Sequence, residues 1–235
     1  MKIAGLQKMT LLDYPGKVAC TVFLPGCNFC CPFCHNAELL DGAISPLMDD
    51  RELLEFLAKR RGILEAVCIS GGEPTLHPGL SDLLRAIKDL GYLVKLDTNG
   101  YRPEVLKRLV ADGLLDYVAM DIKNSPSQYA VTSGLNGMDL TALEESIAFL
   151  MTGELDYEFR TTVVAQLHDA QSVREMGQWL LSLSGGKKVR RFFLQPFVDR
   201  DTVVYSGLSA PAKEELDHYI LCVQSFAEMA EIRGQ

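Results

Sequence analysis

Four of the seven cysteines in this chain lie within the segment 27–34, at Cys27, Cys30, Cys31 and Cys34. They form a C-x3-C-x2-C series through Cys27, Cys31 and Cys34, and they also form two C-x2-C pairs. Thiolates at such short spacing are typical of metal sites, and two chemistries compete. A structural zinc site usually divides its pairs across a longer loop, whereas three cysteines are one fewer than the usual all-cysteine iron–sulfur cluster. A cluster with three cysteine ligands leaves one iron open to a non-protein ligand.

Polar and glycine-rich segments follow three of the predicted strands. In folds that alternate parallel strands with helices, the carboxyl ends of the strands carry the side chains that do chemistry. Paired glycines let the backbone approach a ligand closely, a carboxylate accepts hydrogen bonds, and a lysine neutralises a carboxylate. Taken alone, the first two segments are also typical of turns, and an ion pair of the lysine could be a weak surface pair. The residues in these segments are Gly71, Gly72, Glu73, Asp97, Thr98, Asn99, Asp121 and Lys123.

An arginine, Arg160, interrupts the otherwise apolar fifth predicted strand. An unpaired charge inside a barrel costs several kcal/mol, so a buried arginine needs a partner. Its planar guanidinium suits a carboxylate. The alternative is an arginine that ends on the outer surface.

Six short strands, alternating with helices, are predicted to position these residues. The strands are rich in β-branched and aromatic residues, and the helices repeat apolar residues at i, i+3, i+4 and i+7. Such alternation predicts parallel strands with right-handed crossovers. We therefore predict an α/β fold, a partial TIM-like (β/α)6 barrel that lacks two units of the complete barrel; an open doubly wound sheet is the alternative. The predicted strands span 18–24, 66–70, 93–97, 117–122, 157–164 and 191–196.

No linker or low-complexity tract interrupts the chain, so we predict a single domain over 1–235. It comprises an N-terminal extension (1–17), a core (18–200) and a C-terminal helix at about 211–231. Asp49 and Glu52 resemble a capping box at the start of one helix, and Pro78 and Gly91 bracket another.

Composition and charge exclude several classes of protein. The chain is 48% hydrophobic and 23% charged, as globular proteins are. Its net charge of −8 argues against a nucleic-acid partner, since phosphates need clustered Lys and Arg. No apolar run reaches the ~18 residues of a membrane span, and the first residues do not resemble a signal peptide. Clustered cysteines in an odd number favour a reducing compartment, so we expect a cytoplasmic protein without a membrane partner.

The C-x3-C-x2-C series after a first strand, with Phe33 before its last cysteine, resembles the radical S-adenosylmethionine (SAM) superfamily. The resemblance implies that Cys27, Cys31 and Cys34 hold a [4Fe–4S] cluster. It also implies that the open iron binds the amino and carboxylate groups of SAM. Cys30 is interpreted as a spectator thiol.

The same resemblance implies roles for the residues at the strand ends. The Gly-Gly-Glu element binds the SAM amino group, Arg160 faces the SAM carboxylate, and the Asp-Thr-Asn and Asp-x-Lys motifs lie near the carboxylate and the ribose. In one activase class two aspartates also hold a monovalent cation, a role that the resemblance extends to Asp97 and Asp121. Many activases have a histidine near the position of Val198, where Gln195 is the nearest polar substitute. The implied SAM contacts are Phe33, His35, Gly71, Gly72, Glu73, Asp97, Thr98, Asn99, Asp121, Lys123, Arg160 and Gln195.

The leader 11–17, Leu-Leu-Asp-Tyr-Pro-Gly-Lys, resembles the glycyl-radical-enzyme activases known as anaerobic ribonucleoside-triphosphate reductase activating proteins. The resemblance extends over about 1–200. It implies reductive cleavage of SAM to a 5′-deoxyadenosyl radical, with flavodoxin or ferredoxin as the electron donor. The radical takes hydrogen from a glycine of a glycyl-radical enzyme, such as anaerobic ribonucleotide reductase.

Two alternatives stay open at this point. One is a radical SAM enzyme that acts on a small molecule and resembles 7-carboxy-7-deazaguanine synthase. The other is a zinc or redox module, which needs neither a Gly-Gly-Glu element nor Arg160. A short barrel without a capping domain favours the activase, because a protein loop needs a wide opening.

Overall fold

The computed structural model describes residues 1–41 and 43–234, which separate into two compact units. The first unit comprises Met1–Asn28 and Glu38–Ala119. The second comprises Phe29–Ala37 and the chain from Met120 onward. The single domain over 1–235 stays a prediction, and residues 42 and 235 lie outside the described residues.

The first unit consists of strands joined by helical crossovers. Its elements, including the strand that runs on into the second unit, are β1 (Lys2–Ile3), β2 (Gly5–Thr10), β3 (Ala19–Leu24), β4 (Met48–Asp49), α1 (Asp50–Ala58), β5 (Ala66–Gly71), α2 (Leu80–Asp89), β6 (Leu93–Thr98), α3 (Pro103–Ala111) and β7 (Tyr117–Asp121). Strands β3, β5 and β6 pair in parallel, while β2 pairs antiparallel with β3. Strands β1 and β4 form a separate antiparallel pair.

Local sequence explains the helices of the first unit. In α1, Asp49 and Glu52 form the predicted capping box, in which each side chain accepts a hydrogen bond from the backbone amide of the other. In α2, the apolar residues that repeat at i, i+3, i+4 and i+7 form the buried face against the sheet. The predicted local signals therefore place both helices correctly.

The second unit repeats the strand–helix alternation. Its elements after β7 are α4 (Tyr129–Ser133), α5 (Thr141–Thr152), β8 (Asp156–Val163), α6 (Ala170–Leu183), β9 (Val189–Pro196), α7 (Lys213–Phe226) and β10 (Ala227–Ile232). Strand β9 pairs in parallel with β8 on one side and with β10 on the other. All six predicted strands are present, with ends within two residues of those expected.

The predicted C-terminal helix is wrong beyond Phe226. The helix ends there, and Ala227–Ile232 continues as β10, a strand parallel to β9. Ala, Glu and Met in this segment favour a helix, but helix propensity is a weak prior that tertiary contacts override. The edge of β9 offers backbone partners that a longer helix would leave unpaired.

Within residues 1–41 and 43–234, no helix combines the length and the apolar character that crossing a membrane requires.

Candidate functional site

Backbone contacts fix the start of the cysteine segment in the first unit. The amide of Cys27 donates to the carbonyl of Leu40 at 3.1 Å, and the amide of Glu73 donates to the carbonyl of Gly26 at 2.8 Å. A Cβ atom on Gly72 would lie 2.0 Å from the carbonyl oxygen of Gly26. Only glycine therefore lets the loop after β5 pass this close to the residue before Cys27.

The carboxylate of Glu73 joins the loop after β5 to the loop after β6. Its Oε1 accepts from the Thr75 amide at 3.0 Å, the Thr75 hydroxyl at 2.5 Å and the Thr98 hydroxyl at 2.8 Å. Its Oε2 accepts from the amide of Asn99 at 2.6 Å. The side chain is 0% exposed, and burial raises the pKa of Glu73 although these donors oppose the shift. The side-chain oxygens of Glu73 thus serve to position the two loops.

Asn99 extends this network toward the cysteine segment. Its Nδ2 donates to Oδ1 of Asn28, the residue after Cys27, at 2.8 Å. Asn28 is a functional candidate that the sequence analysis missed, because an isolated asparagine carries no distinctive spacing. Cys27, Gly72, Glu73 and Asn99 are therefore brought into one hydrogen-bonded and packed set within the first unit.

Asp97, at the end of β6, pairs with a lysine that the sequence analysis did not consider. Lys95 Nζ lies 2.5 Å from Oδ1 of Asp97, and the lysine side chain is 2% exposed. The available signal was a lysine between apolar neighbours two positions before Asp97, because residues i and i+2 of a strand share a face.

In the second unit, Asp121 lies between two cations. Its Oδ1 accepts from Arg160 Nε at 3.0 Å, and its Oδ2 accepts from Lys123 Nζ at 2.9 Å. Burial acts to raise the pKa of Asp121, but the two cations outweigh it and lower this pKa to about 2. The expected carboxylate partner of Arg160 is thus present and belongs to the protein.

The same lysine lies beside the later part of the cysteine segment. Lys123 Nζ is 5.9 Å from the ring centroid of Phe33. Burial raises the pKa of the Cys34 thiol, and the positive charge of Lys123 acts against that shift. A nearby ammonium favours the thiolate, the form that binds metal. The amide of Cys30 donates to the carbonyl of Ser133 at 2.9 Å, which anchors the segment to the end of α4.

Two further predicted residues lie in the second unit. The ring of His35 stacks on Phe197 with centroids 5.5 Å apart, and its Nε2 is 2.8 Å from the carbonyl oxygen of Val198. Burial lowers the pKa of His35. Gln195 lies half-buried near the end of β9. His35 is therefore held by the segment that follows β9, through Phe197 and Val198.

The donor set suits an iron–sulfur cluster in its chemistry. Cys27, Cys31 and Cys34 are partly exposed, while Cys20 and Cys68 are buried within strands. Burial raises the pKa of Cys20 to about 12, so this thiol is a poor metal ligand. In the described part of the chain, no three His, Cys, Asp or Glu side chains are already grouped as a metal site. The choice of ligands therefore rests on the spacing of the cysteines.

Strand–helix alternation, with loops at strand ends and a cysteine segment after the first long strand, defines an α/β protein whose thiols are suited to a metal cofactor. The Radical SAM superfamily model matches residues 21–171, and the chain belongs to that superfamily. Its cofactors are a [4Fe–4S] cluster and SAM, as the sequence resemblance predicted.

Three comparisons describe the relatives of the chain. A protein of Methanocaldococcus jannaschii named as a glycyl-radical enzyme activating enzyme is 29% identical over 225 residues, which cover 91% of this chain and 88% of the relative. The pyruvate formate-lyase-activating enzyme of Clostridium pasteurianum is 33% identical over 132 residues, 52% of each chain. SuiB of Streptococcus suis, solved with its precursor peptide SuiA, has a TM-score of 0.66 at 16% identity over 91% of this chain and 48% of its own. The structural likeness confirms the fold class, α/β of the partial TIM-like barrel type.

Proposed function

We propose that this radical SAM enzyme activates a glycyl-radical enzyme by removing a hydrogen atom from a backbone glycine of that partner. The main support for this proposal is the similarity to the Methanocaldococcus jannaschii activating enzyme, which extends over about nine-tenths of both chains. A shared superfamily domain alone would support only the cofactor chemistry, whereas this match covers 91% of the chain and so extends beyond the superfamily match over residues 21–171. Anaerobic ribonucleotide reductase is the proposed partner, because the Asp13-Tyr14-Pro15-Gly16 leader resembles activases of that enzyme.

The proposal assigns the cluster to Cys27, Cys31 and Cys34, and leaves Cys30 as a spectator. The C-x3-C-x2-C spacing and the partial exposure of these three thiols support the assignment. The positive charge of Lys123 beside Cys34 supports it further, since iron binds the thiolate form.

Cys27, Cys31 and Cys34 would hold the cluster, which together with SAM would supply the one-electron chemistry for removing a hydrogen atom from the substrate. The chain's own residues bind and orient SAM. Gly71 and Gly72 offer backbone atoms to the amino group of SAM, because the Glu73 oxygens are already engaged by the protein. Asp121 holds Lys123 and Arg160 in place for the SAM carboxylate.

The remaining proposed contacts lie at other strand ends and beside the cysteine segment. Their support is their location after parallel strands, where βα folds place their sites. These residues are Phe33, His35, Asp97, Thr98, Asn99 and Gln195. Flavodoxin or ferredoxin is the proposed electron donor, and the cytoplasm is the proposed location because exposed thiols need a reducing compartment.

The test is electron paramagnetic resonance on an anaerobic mixture of purified components. The mixture contains the reconstituted protein, a chemical reductant, SAM and the anaerobic ribonucleotide reductase of the same source. Released 5′-deoxyadenosine is measured in the same tube. We expect a glycyl-type radical on the reductase, dependent on this protein and on SAM, with 5′-deoxyadenosine formed in proportion to it.

A variant of the reductase in which alanine replaces the radical-bearing glycine is the matched control, and it should give no radical. A radical on another glycyl-radical enzyme but not on the reductase would change the partner and retain the activase. SAM cleavage that follows a soluble product, without any protein radical, would contradict the proposal and support the small-molecule alternative.

A further inference from the structure

Lys95 is a buried charged residue in the middle of an apolar strand. It lies in β6 between Val94 and Leu96, both of which are fully buried, and it is itself 2% exposed. Asp97 Oδ1, at 2.5 Å from Nζ, is the sole hydrogen-bond acceptor of the ammonium among the described residues. A lysine ammonium has three donors, and its burial costs desolvation free energy that a single ion pair compensates only in part.

The strand register extends this site across the sheet of the first unit. Lys95 is paired in register with Cys68 of β5, which in turn is paired with Thr21 of β3. The hydroxyl of Thr21 donates to Oδ2 of Asp13 at 2.6 Å. Side chains at paired positions of parallel strands lie on the same face, so Thr21, Cys68 and Lys95 form one row.

Two carboxylates contact the two ends of this row: Asp13 accepts from Thr21, and Asp97 accepts from Lys95. Burial is the main cause of the raised pKa of Cys68; Lys95 acts to lower this pKa, whereas Asp97 and Asp13 act to raise it, so all three charges lie within electrostatic range of that thiol. Asp13 belongs to the leader that resembles the activases, and its contact with Thr21 connects the leader to β3, which is separated from β6 by β5.

We propose that Lys95 is the built-in counter-ion of Asp97 and takes the place of the monovalent cation that the resemblance suggested there. The inference rests on the proposed role of Asp97 at the SAM-binding strand end. The Lys95 ammonium already lies 2.5 Å from Oδ1 of Asp97, and it would repel a sodium or potassium ion bound to the same carboxylate. Asp121, the other suggested cation ligand, is already paired with Lys123 and Arg160.

The proposal predicts that SAM binding does not require added sodium or potassium. Lys95→Met keeps most of the length of the side chain and removes its charge. The variant removes the Lys95 ammonium from Oδ1 of Asp97, so a small cation no longer meets its repulsion there. Ammonium or potassium ions should then restore SAM affinity by supplying the missing positive charge. If the lysine had only a structural role, added cations would not restore that affinity.

The experiment compares wild-type protein, Lys95→Met and Lys88→Met in the chlorides of choline, sodium, potassium and ammonium at equal ionic strength. Lys88 is the matched control, because it pairs with Asp116 at 2.7 Å in the same unit, before β7, and its pair includes no proposed SAM contact. The dissociation constant of SAM is measured on reconstituted protein. The Tm is measured on protein without iron, which gives a readout that does not depend on the cluster.

We expect the wild-type dissociation constant to vary less than about twofold among the salts. Lys95→Met should bind SAM about tenfold more weakly in choline, the size of effect expected from loss of part of an ion pair. Ammonium or potassium should recover both its affinity and its Tm, while the Tm of Lys88→Met responds equally to every salt.

Two results would overturn the counter-ion role: a wild-type protein that needs potassium or sodium to bind SAM, or a Lys95→Met variant with no cation-specific recovery. If Lys95→Met does not fold, Lys95→Met/Asp97→Asn removes both charges, and the wild-type salt series alone still decides the proposal. Failure of the proposed function has a different signature. A radical SAM enzyme with another substrate would give the same salt series in SAM binding and in Tm, but it would form no radical on the proposed partner enzyme.

Discussion

Single charged residues in the second unit are held by partners that lie far away in the sequence. Glu158, which is fully buried, accepts two hydrogen bonds from Arg233 at 2.7 and 2.8 Å. Asp121 is paired with Arg160 across a gap of 39 residues. Breaking such a pair leaves one charge uncompensated, so each pair constrains the fold more strongly than an exposed ion pair does.

Asp121 should make stability depend on pH in the acid range. Its pKa lies near 2 in the folded protein, below its ordinary value of 3.8, so its contribution is complete above pH 4 and is lost as the pH falls toward 2. Asp121→Asn should lower the free energy of unfolding at pH 7 by about 1–3 kcal/mol. It should also flatten the loss of stability between pH 4 and 2. Urea denaturation of the protein without iron measures both effects.

Asp217→Asn is the control for this prediction. Asp217 is exposed and pairs with Lys213 along one face of α7, a contact worth less than about 1 kcal/mol. An equal acid response in wild-type protein and Asp121→Asn would show that the carboxylate does not have the lowered pKa.

At the scale of secondary-structure elements, the loops and strand ends position the cysteine segment. Gly72 and Glu73 follow β5. Their backbone packs against and hydrogen-bonds to Gly26, the residue before Cys27, and the Glu73 carboxylate binds the loop after β6. In the second unit, Gly134 ends α4 with a φ of 74°, and a Cβ atom there would lie 2.2 Å from the Cys30 carbonyl oxygen. Each of these two glycines therefore permits a close approach to the cysteine segment.

Gly72→Ala should displace the start of that segment. Its Cβ would lie 2.0 Å from the carbonyl oxygen of Gly26 and 3.2 Å from the amide nitrogen of Cys27, and neither atom belongs to a flexible side chain. We expect a loss of about 1–3 kcal/mol in stability and a lower iron content after reconstitution. Thermal denaturation and iron analysis provide the two measurements.

Gly79→Ala is the appropriate comparison for Gly72→Ala. Gly79 has a φ of −83°, and its added Cβ would meet only the end of the Met1 side chain, at 3.4 Å. Normal iron uptake by Gly72→Ala would refute the requirement for glycine at that position.

At the scale of the whole molecule, binding of the iron–sulfur cluster is coupled to the stability of the folded chain. A cluster that binds the folded state and not the unfolded state stabilises the folded chain by mass action. Metal binding to thiolates is likewise coupled to folding. The stability of the whole protein should therefore report on which cysteines hold the cluster.

Reconstitution with iron and sulfide should raise the Tm of the wild-type protein, and removal of the cluster by a chelator should reverse the rise. Cys27→Ala, Cys31→Ala and Cys34→Ala should each lose the cluster absorbance and the rise in Tm. Cys30→Ala, one position away from Cys31, should keep both and serves as the control. If Cys30→Ala loses the cluster while Cys31→Ala retains it, the proposed ligand set is wrong.

Many local features of the protein could be inferred before its structure was known. All six long strands, the capping box at Asp49 and the helix between Pro78 and Gly91 follow from periodicity and end signals, which depend on neighbouring residues only. The cysteine spacing led to the superfamily for the same reason, because a short segment carries the whole motif.

Pairing between distant segments required the tertiary structure. The identity of Arg160's partner, the burial of Lys95 beside Asp97, and the role of Glu73 in joining two loops depend on which segments the fold brings together. The strand after Phe226 is the clearest case, since its residues favour a helix and pair instead with β9. Propensity amounts to less than about 1 kcal/mol per residue for ordinary residues, so backbone pairing and buried contacts with a distant strand outweigh it.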